Sequence, residues 1–311
     1  MLGNGYLGVD FFFVLSGFII AYSSSRLADA GGGIKAYFRA RLVRIYVPYL
    51  PVGIGIFLIY LALPGLSEGG RTPSVLTTFT LLPSGLPPAL SVAWTLVHEL
   101  IFYVVFSLWF VSRPLFWGLM AVWVASIVGV YVGEVAMDRF AGYFLSPLNL
   151  CFLLGVGIFM LTRRIAVPGR FAMLAAIAGV GIVTMQAMTE APARMWVAVG
   201  FGLIVIAAAS PVGRTTGVWR WLLSLGAASY AIYLVHNPVL SIAVRAARAI
   251  LPGIGPWAGL GAISVVALLV GLAYWRFFER PALKVVRRWL DARSPEKDSG
   301  GGIDCAAYWK T

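Results

Sequence analysis

Apolar residues occur along this chain in long blocks, and a membrane-spanning helix needs about 20 of them in succession. Nine blocks meet or approach that length: Tyr6–Tyr22, Tyr46–Leu63, Val92–Val111, Leu115–Val132, Pro147–Leu161, Phe171–Met188, Met195–Ser210, Trp221–Val244 and Trp257–Phe277. The fifth to seventh are short or rich in Gly, which leaves their ends loosely defined. The pattern predicts an all-α integral membrane protein, a polytopic bundle of about nine transmembrane helices. The first block reads as a span rather than a secretory signal, since no basic region precedes it and no cleavage site follows. The spans show no internal repeat. After Ala292 the pattern ends in a polar, Gly-rich stretch, so the expected organisation is a membrane domain over 1–292 and a disordered tail over 293–311.

Composition agrees with the blocks. Hydrophobic residues make up 60% and charged residues 12% of the chain, with a mean hydropathy of +0.88. Ordinary globular domains hold about 45–50% and about 25%. A water-soluble fold could not hide so much apolar surface, whereas lipid is itself an apolar solvent. The 35 glycines permit close helix contacts and the 11 tryptophans suit the membrane interface. Two cysteines, Cys151 and Cys305, offer neither a disulfide framework nor a zinc spacing, so no metal site is expected.

The net charge of +12 is distributed by side. Arg26, Lys35, Arg39, Arg41 and Arg44 follow the first block. Arg163, Arg164 and Arg170 follow the fifth, Arg214 and Arg220 the seventh, and Arg276, Arg280, Lys284, Arg287 and Arg288 the last. With nine crossings all of these fall on one side. The opposite loops carry Glu68 with Arg71, Glu134 and Asp138 with Arg139, and Glu190 with Arg194. Only Arg245 and Arg248 break the trend. The positive-inside rule makes the basic side cytoplasmic, so the C-terminus is expected inside and Met1 outside. The charge therefore speaks for anionic lipid at a cell membrane, not for nucleic acid. An odd number of crossings starting outside without a targeting segment leads to the expectation of one further helix upstream.

Ionisable groups inside apolar blocks cost about 2.5–3.5 kcal/mol each on insertion scales, which makes them candidates for function. Asp10 lies near the outer end of its block. Glu99 lies roughly 10 Å below the start of its own, at 1.5 Å per residue, and His236 lies in the outer part of the eighth. All three are expected to face one polar cavity. Glu99 follows Trp94 and Thr95, and its carboxylate could orient an imidazole, hold an acceptor hydroxyl, or only bond a neighbouring helix. Ser229, Tyr233 and His236 recur at i, i+4, i+7 and share a helical face, while Pro238 removes a backbone donor and frees a carbonyl. His98 points about 100° away from Glu99 and reads as a packing residue. Arg39, Arg41 and Arg44 stand at a helix entrance, where guanidinium groups can grip phosphate or simply anchor topology.

Five segments in order resemble one family: GYLGVDFFFVLSGFIIAY (5–22), RARLVRIYVPYL (39–50), AWTLVHELIFY (93–103), LGAASYAIYLVHNPV (225–239) and FFERPALK (277–284). Together they are similar to the membrane acyltransferase-3 family, which includes O-acetyltransferases of lipopolysaccharide and exopolysaccharide. The AWT…E…FY form resembles the exopolysaccharide branch. The resemblance implies a ten-helix bundle in the inner membrane. It implies an O-acyltransferase using acyl-CoA, usually acetyl-CoA, as co-substrate without a bound cofactor. The acceptor it implies is a hydroxyl of an exported glycan or lipid-linked glycan. Residue by residue it implies donor handling by Arg41 and Arg44 with Arg39, and matches Glu99 and Trp94, Asp10 and Ser16, and Tyr233 and His236 to family segments. Tyr233 or Ser16 could also serve as donors to a developing oxyanion.

The family's first helix carries an Arg and, about ten residues on, the His that leads as catalytic base. Neither His98 nor His236 matches it, so the resemblance implies a chain lacking that helix and impaired in activity. Two other readings fit an apolar bundle with buried charges: a transporter using Asp10, Glu99 and His236 as a polar pathway, and a membrane protein that catalyses nothing.

Overall fold

In the computed structural model, the described residues are 7–63, 73–190, 193–210, 217–250 and 255–292, without the side chains of 217–222, 248–250 and 256. Glu68, Arg71, Arg214, Cys305 and the expected tail over 293–311 lie outside them, as do the side chains of Arg220 and Arg248.

Among the described residues every regular element is helical. The helices are α1 (Leu7–Asp29), α2 (Ile34–Ala62), α3 (Val75–Thr80), α4 (Trp94–Phe106), α5 (Arg113–Val132), α6 (Arg139–Phe144), α7 (Leu148–Arg164), α8 (Gly169–Ala187), α9 (Arg194–Ala209), α10 (Gly217–Ile250), α11 (Pro256–Tyr274) and α12 (Arg280–Ala292). Eight stretches are long and apolar enough to cross a bilayer. The seventh expected span is α9, an apolar helix of 16 residues. At 1.5 Å per residue it is about 24 Å long, somewhat short of a hydrocarbon core of about 30 Å. The chain is a multi-pass membrane protein.

Two boundaries differ from expectation. The arginines expected in a loop after the first span lie on helices instead: Arg26 on α1, and Arg39, Arg41 and Arg44 on α2, which begins twelve residues before Tyr46. Tyr37, Arg41, Ile45 and Tyr49 are buried at a spacing of four, so one face of this segment is interior although its other faces are charged. Pro48 and Pro51 stand inside α2 rather than before it. At the other end, the basic residues from Arg276 to Arg288 continue the last helix through a π-helical turn (Trp275–Glu279) into α12.

The helices form two compact units. The first holds α1 and α5–α9, with the chain crossing to the second inside α2 after Tyr37 and back inside α4 after Tyr103. In it, α1 packs on α7 through paired glycines. A Cβ on Gly17 would lie 2.0 Å from the Phe152 carbonyl oxygen, and one on Gly155 would lie 2.0 Å from that of Val14. Phe13 meets Phe152 edge-on beside this contact, at 4.6 Å between centroids. The helices run in parallel. Arg163 at the end of α7 pairs with Asp29 at the end of α1 at 3.6 Å and donates to Ser25, so the basic residues of both helices gather at one end of this unit.

The second unit holds the rest of α2 and α4 with α3 and α10–α12. Its cross-links are tyrosines. Tyr46 and Tyr49 donate to the carbonyls of Thr80 and Thr78, which the end of α3 leaves without an intrahelical donor. Tyr230 of α10 donates to the Ile45 carbonyl at 3.1 Å, and Tyr274 of α11 to that of Pro48 at 2.7 Å.

Candidate active site

The site is in the second unit and begins on the buried face of α2. Arg41 occupies a position that elsewhere on this face takes Tyr or Ile, so its guanidinium must find compensation within protein. The ring of Tyr103 supplies part of it, with the guanidinium carbon 5.7 Å from the ring centroid. Tyr103 stands one turn beyond Glu99 on α4, and its hydroxyl donates to Glu99 Oε1 at 2.6 Å. Glu99 is 7% exposed. Arg41 and Arg44 both bring positive charge to it. The carboxylate therefore receives a tyrosine hydroxyl and two arginines, and no imidazole.

A second buried carboxylate joins this cluster. The π-helical turn inserts one extra residue into the helical repeat and ends on Glu279, which is 2% exposed. Arg44 and Arg287 are its charged neighbours. Near the end of α12, Asp291 pairs with Arg39 at 3.4 Å and also faces Arg287. Arg39, Arg41, Arg44 and Arg287 thus gather with Glu99, Glu279 and Asp291. Guanidinium groups of this kind can grip phosphate oxygens in pairs.

From Glu99 the polar groups continue along α4 and α10 away from the arginines. Tyr233 shares a hydrogen bond of 2.7 Å with Thr95 and donates to the Val92 carbonyl at 3.2 Å. His236 follows on the next turn, its ring centroid 5.5 Å from that of Tyr233. Its Nδ1 lies 2.6 Å from the Tyr233 carbonyl oxygen. A carbonyl can only accept, so Nδ1 carries the proton and Nε2 keeps its lone pair. Asn237 then donates to Ser91 Oγ at 2.8 Å, on the edge of a cavity of about 130 Å³. Ser229, expected on the same face as Tyr233, is exposed and donates to its own helix at the Gly226 carbonyl. Trp94 is half-buried and meets the ring of the buried His98 edge-on at 5.7 Å.

Asp10 and Ser16 belong to the first unit. Asp10 is fully buried and pairs with Arg194, at the start of α9, at 3.4 Å. Ser16 is half-buried on α1. Asp10 therefore stands with Arg194 in the first unit, and Glu99 and His236 stand in the second. Sequence reading passed over Tyr103, Tyr230, Glu279 and Arg287 as site residues. Glu279 carried a signal, being an acid held between aromatic and basic residues in FFERP. Tyr103 and Tyr230 looked like ordinary interfacial tyrosines.

Glu99 and the arginines of α2 fall within a sequence match. Residues 2–276 match the family model described as an acyltransferase domain, acyltransferase-3. The chain belongs to the acyltransferase-3 family. Among curated relatives, the exopolysaccharide production protein ExoZ of Rhizobium meliloti (strain 1021) is 29% identical over 299 residues, covering 90% of each chain. The acyltransferase MdmB of Streptomyces mycarofaciens is 27% identical over 323 residues, covering 91% of this chain and 82% of that protein. Protein 2 in the picA locus of Rhizobium radiobacter is 32% identical over 127 residues, covering 34% of this chain and 66% of that protein. No solved structure matches. Membership of this family supports acyl transfer for the chain.

Proposed function

We propose that this chain is an O-acyltransferase of a cell membrane. It moves an acyl group, acetyl being the expected one, from acyl-CoA to a hydroxyl of an exported glycan or lipid-linked glycan. The observation that carries the reading is the buried Glu99–Tyr103 pair enclosed by Arg41 and Arg44. Arg41 and Arg44 bring positive charge to a buried carboxylate, and guanidinium groups grip phosphate oxygens in pairs. The pyrophosphate of coenzyme A offers such oxygens, and the arginine-rich end would be cytoplasmic. Arg41 and Arg44, with Arg39 beside them, hold the donor. Glu99 keeps the two arginines and Tyr103 in place.

Beyond this cluster Tyr233 and His236 lead toward the opposite end. In this reading His236 Nε2 takes the proton of a sugar hydroxyl, and the Tyr233 hydroxyl turns from the Val92 carbonyl to donate toward an oxyanion; such groups each contribute about 10²–10⁴ in rate when well positioned. In the first unit, Asp10 supports the bundle through Arg194, and Ser16 has no assigned step; Trp94, on α4 of the second unit, has none either. The name of the exopolysaccharide production protein favours a polysaccharide acceptor, and that of MdmB favours acyl transfer.

The test is donor binding by the full chain in lipid nanodiscs. Arg41→Gln and Arg44→Gln should each weaken acetyl-CoA binding roughly 10- to 100-fold, the size of a lost charge-assisted hydrogen bond of about 1.5–3 kcal/mol. Binding unchanged in both variants would overturn the assignment.

A further inference from the structure

Arg245, with Arg248, breaks the charge pattern of the whole chain. The other arginines expected on its side each have an acid nearby in sequence, and the positive-inside rule opposes an unbalanced cation there. The structure shows where it stands. Arg245 lines the cavity of the second unit, with Ile56, Ile59 and Tyr60 from α2, Pro73 and the 88–91 segment, and Asn237, Pro238, Ser241 and Ile242 from α10. It has no ion-pair partner among the described residues. Among the described residues of the lining it is the one cation, and none of them is a carboxylate.

The walls of the cavity differ. Ser91, Asn237 and Ser241 offer hydroxyl and amide groups, and Asn237 and Ser91 are already oriented by their 2.8 Å hydrogen bond. Pro73, Pro88 and Tyr60 offer flat apolar surface. A sugar ring has the same division, with C–H faces and hydroxyl edges. Pro238 also removes the N–H that would otherwise close on the Leu234 carbonyl.

We propose that this cavity is an acceptor subsite for an acidic sugar, in which Arg245 reads a carboxylate or phosphate and Ser91, Asn237 and Ser241 read hydroxyl groups. This deepens the acyltransferase reading by giving its acceptor a charge. It rests on that reading for the word acceptor, but the binding itself can be measured without donor.

The experiment uses the full chain in nanodiscs of neutral phosphatidylcholine, with no acyl-CoA present. Ligands are methyl glucuronide, glucose 1-phosphate and methyl glucoside, followed by saturation-transfer NMR and competition. The two anionic sugars should bind about 10-fold more tightly than the neutral one. Arg245→Gln should abolish that preference, and Arg245→Lys should keep part of it. A preference for one anionic sugar alone supports the proposal and names the acid group. No preference, or a preference untouched by Arg245→Gln, overturns it. So does an Arg245-dependent response only when phosphatidylglycerol is added to the nanodiscs, which would assign the arginine to lipid. Acetyl-CoA binding, measured separately, should be equal in wild type and Arg245→Gln. Loss of acetyl-CoA binding in wild type would sink the donor reading and leave the sugar result standing.

Discussion

Asp10 and Glu99 are both buried carboxylates, but their surroundings ask different things of them. Asp10 has one ion-pair partner, Arg194, whose side chain is about a third exposed. Glu99 accepts a tyrosine hydroxyl and faces two arginines. The first arrangement is a strut. Removing Arg194 alone leaves an uncompensated charge inside the bundle, which costs about 3–5 kcal/mol in buried pairs. Arg194→Gln should therefore lower thermal stability in detergent strongly, and adding Asp10→Asn should recover much of the loss. A double variant no more stable than Arg194→Gln would show that the pair is not what holds α1 to α9. The sequence made both acids visible as charges in apolar blocks. It could not say which was a strut, since that depends on a partner 184 positions away in one case and four positions away in the other.

Helix contacts depend on the glycines more than on the large side chains. Membrane helices gain little from the hydrophobic effect against lipid, so close van der Waals approach and backbone contact decide which faces meet. Gly17 and Gly155 bring α1 and α7 together so tightly that a methyl group at either would overlap a carbonyl oxygen. Gly157, on the same helix as Gly155, has nothing within 4 Å of an added Cβ. Gly17→Ala or Gly155→Ala should thus destabilise the folded chain by about 1–3 kcal/mol, the usual cost of overpacking, while Gly157→Ala should be neutral or slightly stabilising. Thermal unfolding followed by circular dichroism separates these outcomes. Equal Tm values for all three would mean that α1 and α7 can part without loss. The long apolar helices were legible from block length alone. The start of α2 was not, because its charges interrupt the apolar block while its buried face, Tyr37, Arg41, Ile45 and Tyr49, keeps a helical spacing. The six residues of α3 are too few for any period to show.

Across the whole molecule, charge divides the chain by side. In the first unit, Arg163 with Asp29 marks one end and Arg194 with Asp10 the other. In the second, Arg39 with Asp291 marks one end and Ser91 with Asn237 the other. The positive-inside rule leads to the prediction that the C-terminus faces the cytoplasm. A green fluorescent protein fused after Thr311 should fluoresce, and alkaline phosphatase at the same place should be inactive. The reverse pair of results would invert the topology and move the donor site to the wrong side of the membrane. The sequence by itself determined the membrane class, the approximate number and place of the spans, and the family, because block length and ordered motifs are local properties of the chain. Only the tertiary structure decided that Arg41 lies on Tyr103, that a π-helical turn carries Glu279 to Arg44, and that Arg245 stands on a cavity with Asn237. Those are meetings between helices far apart in the chain, and periodicity within one helix holds no information about which face of another it will touch.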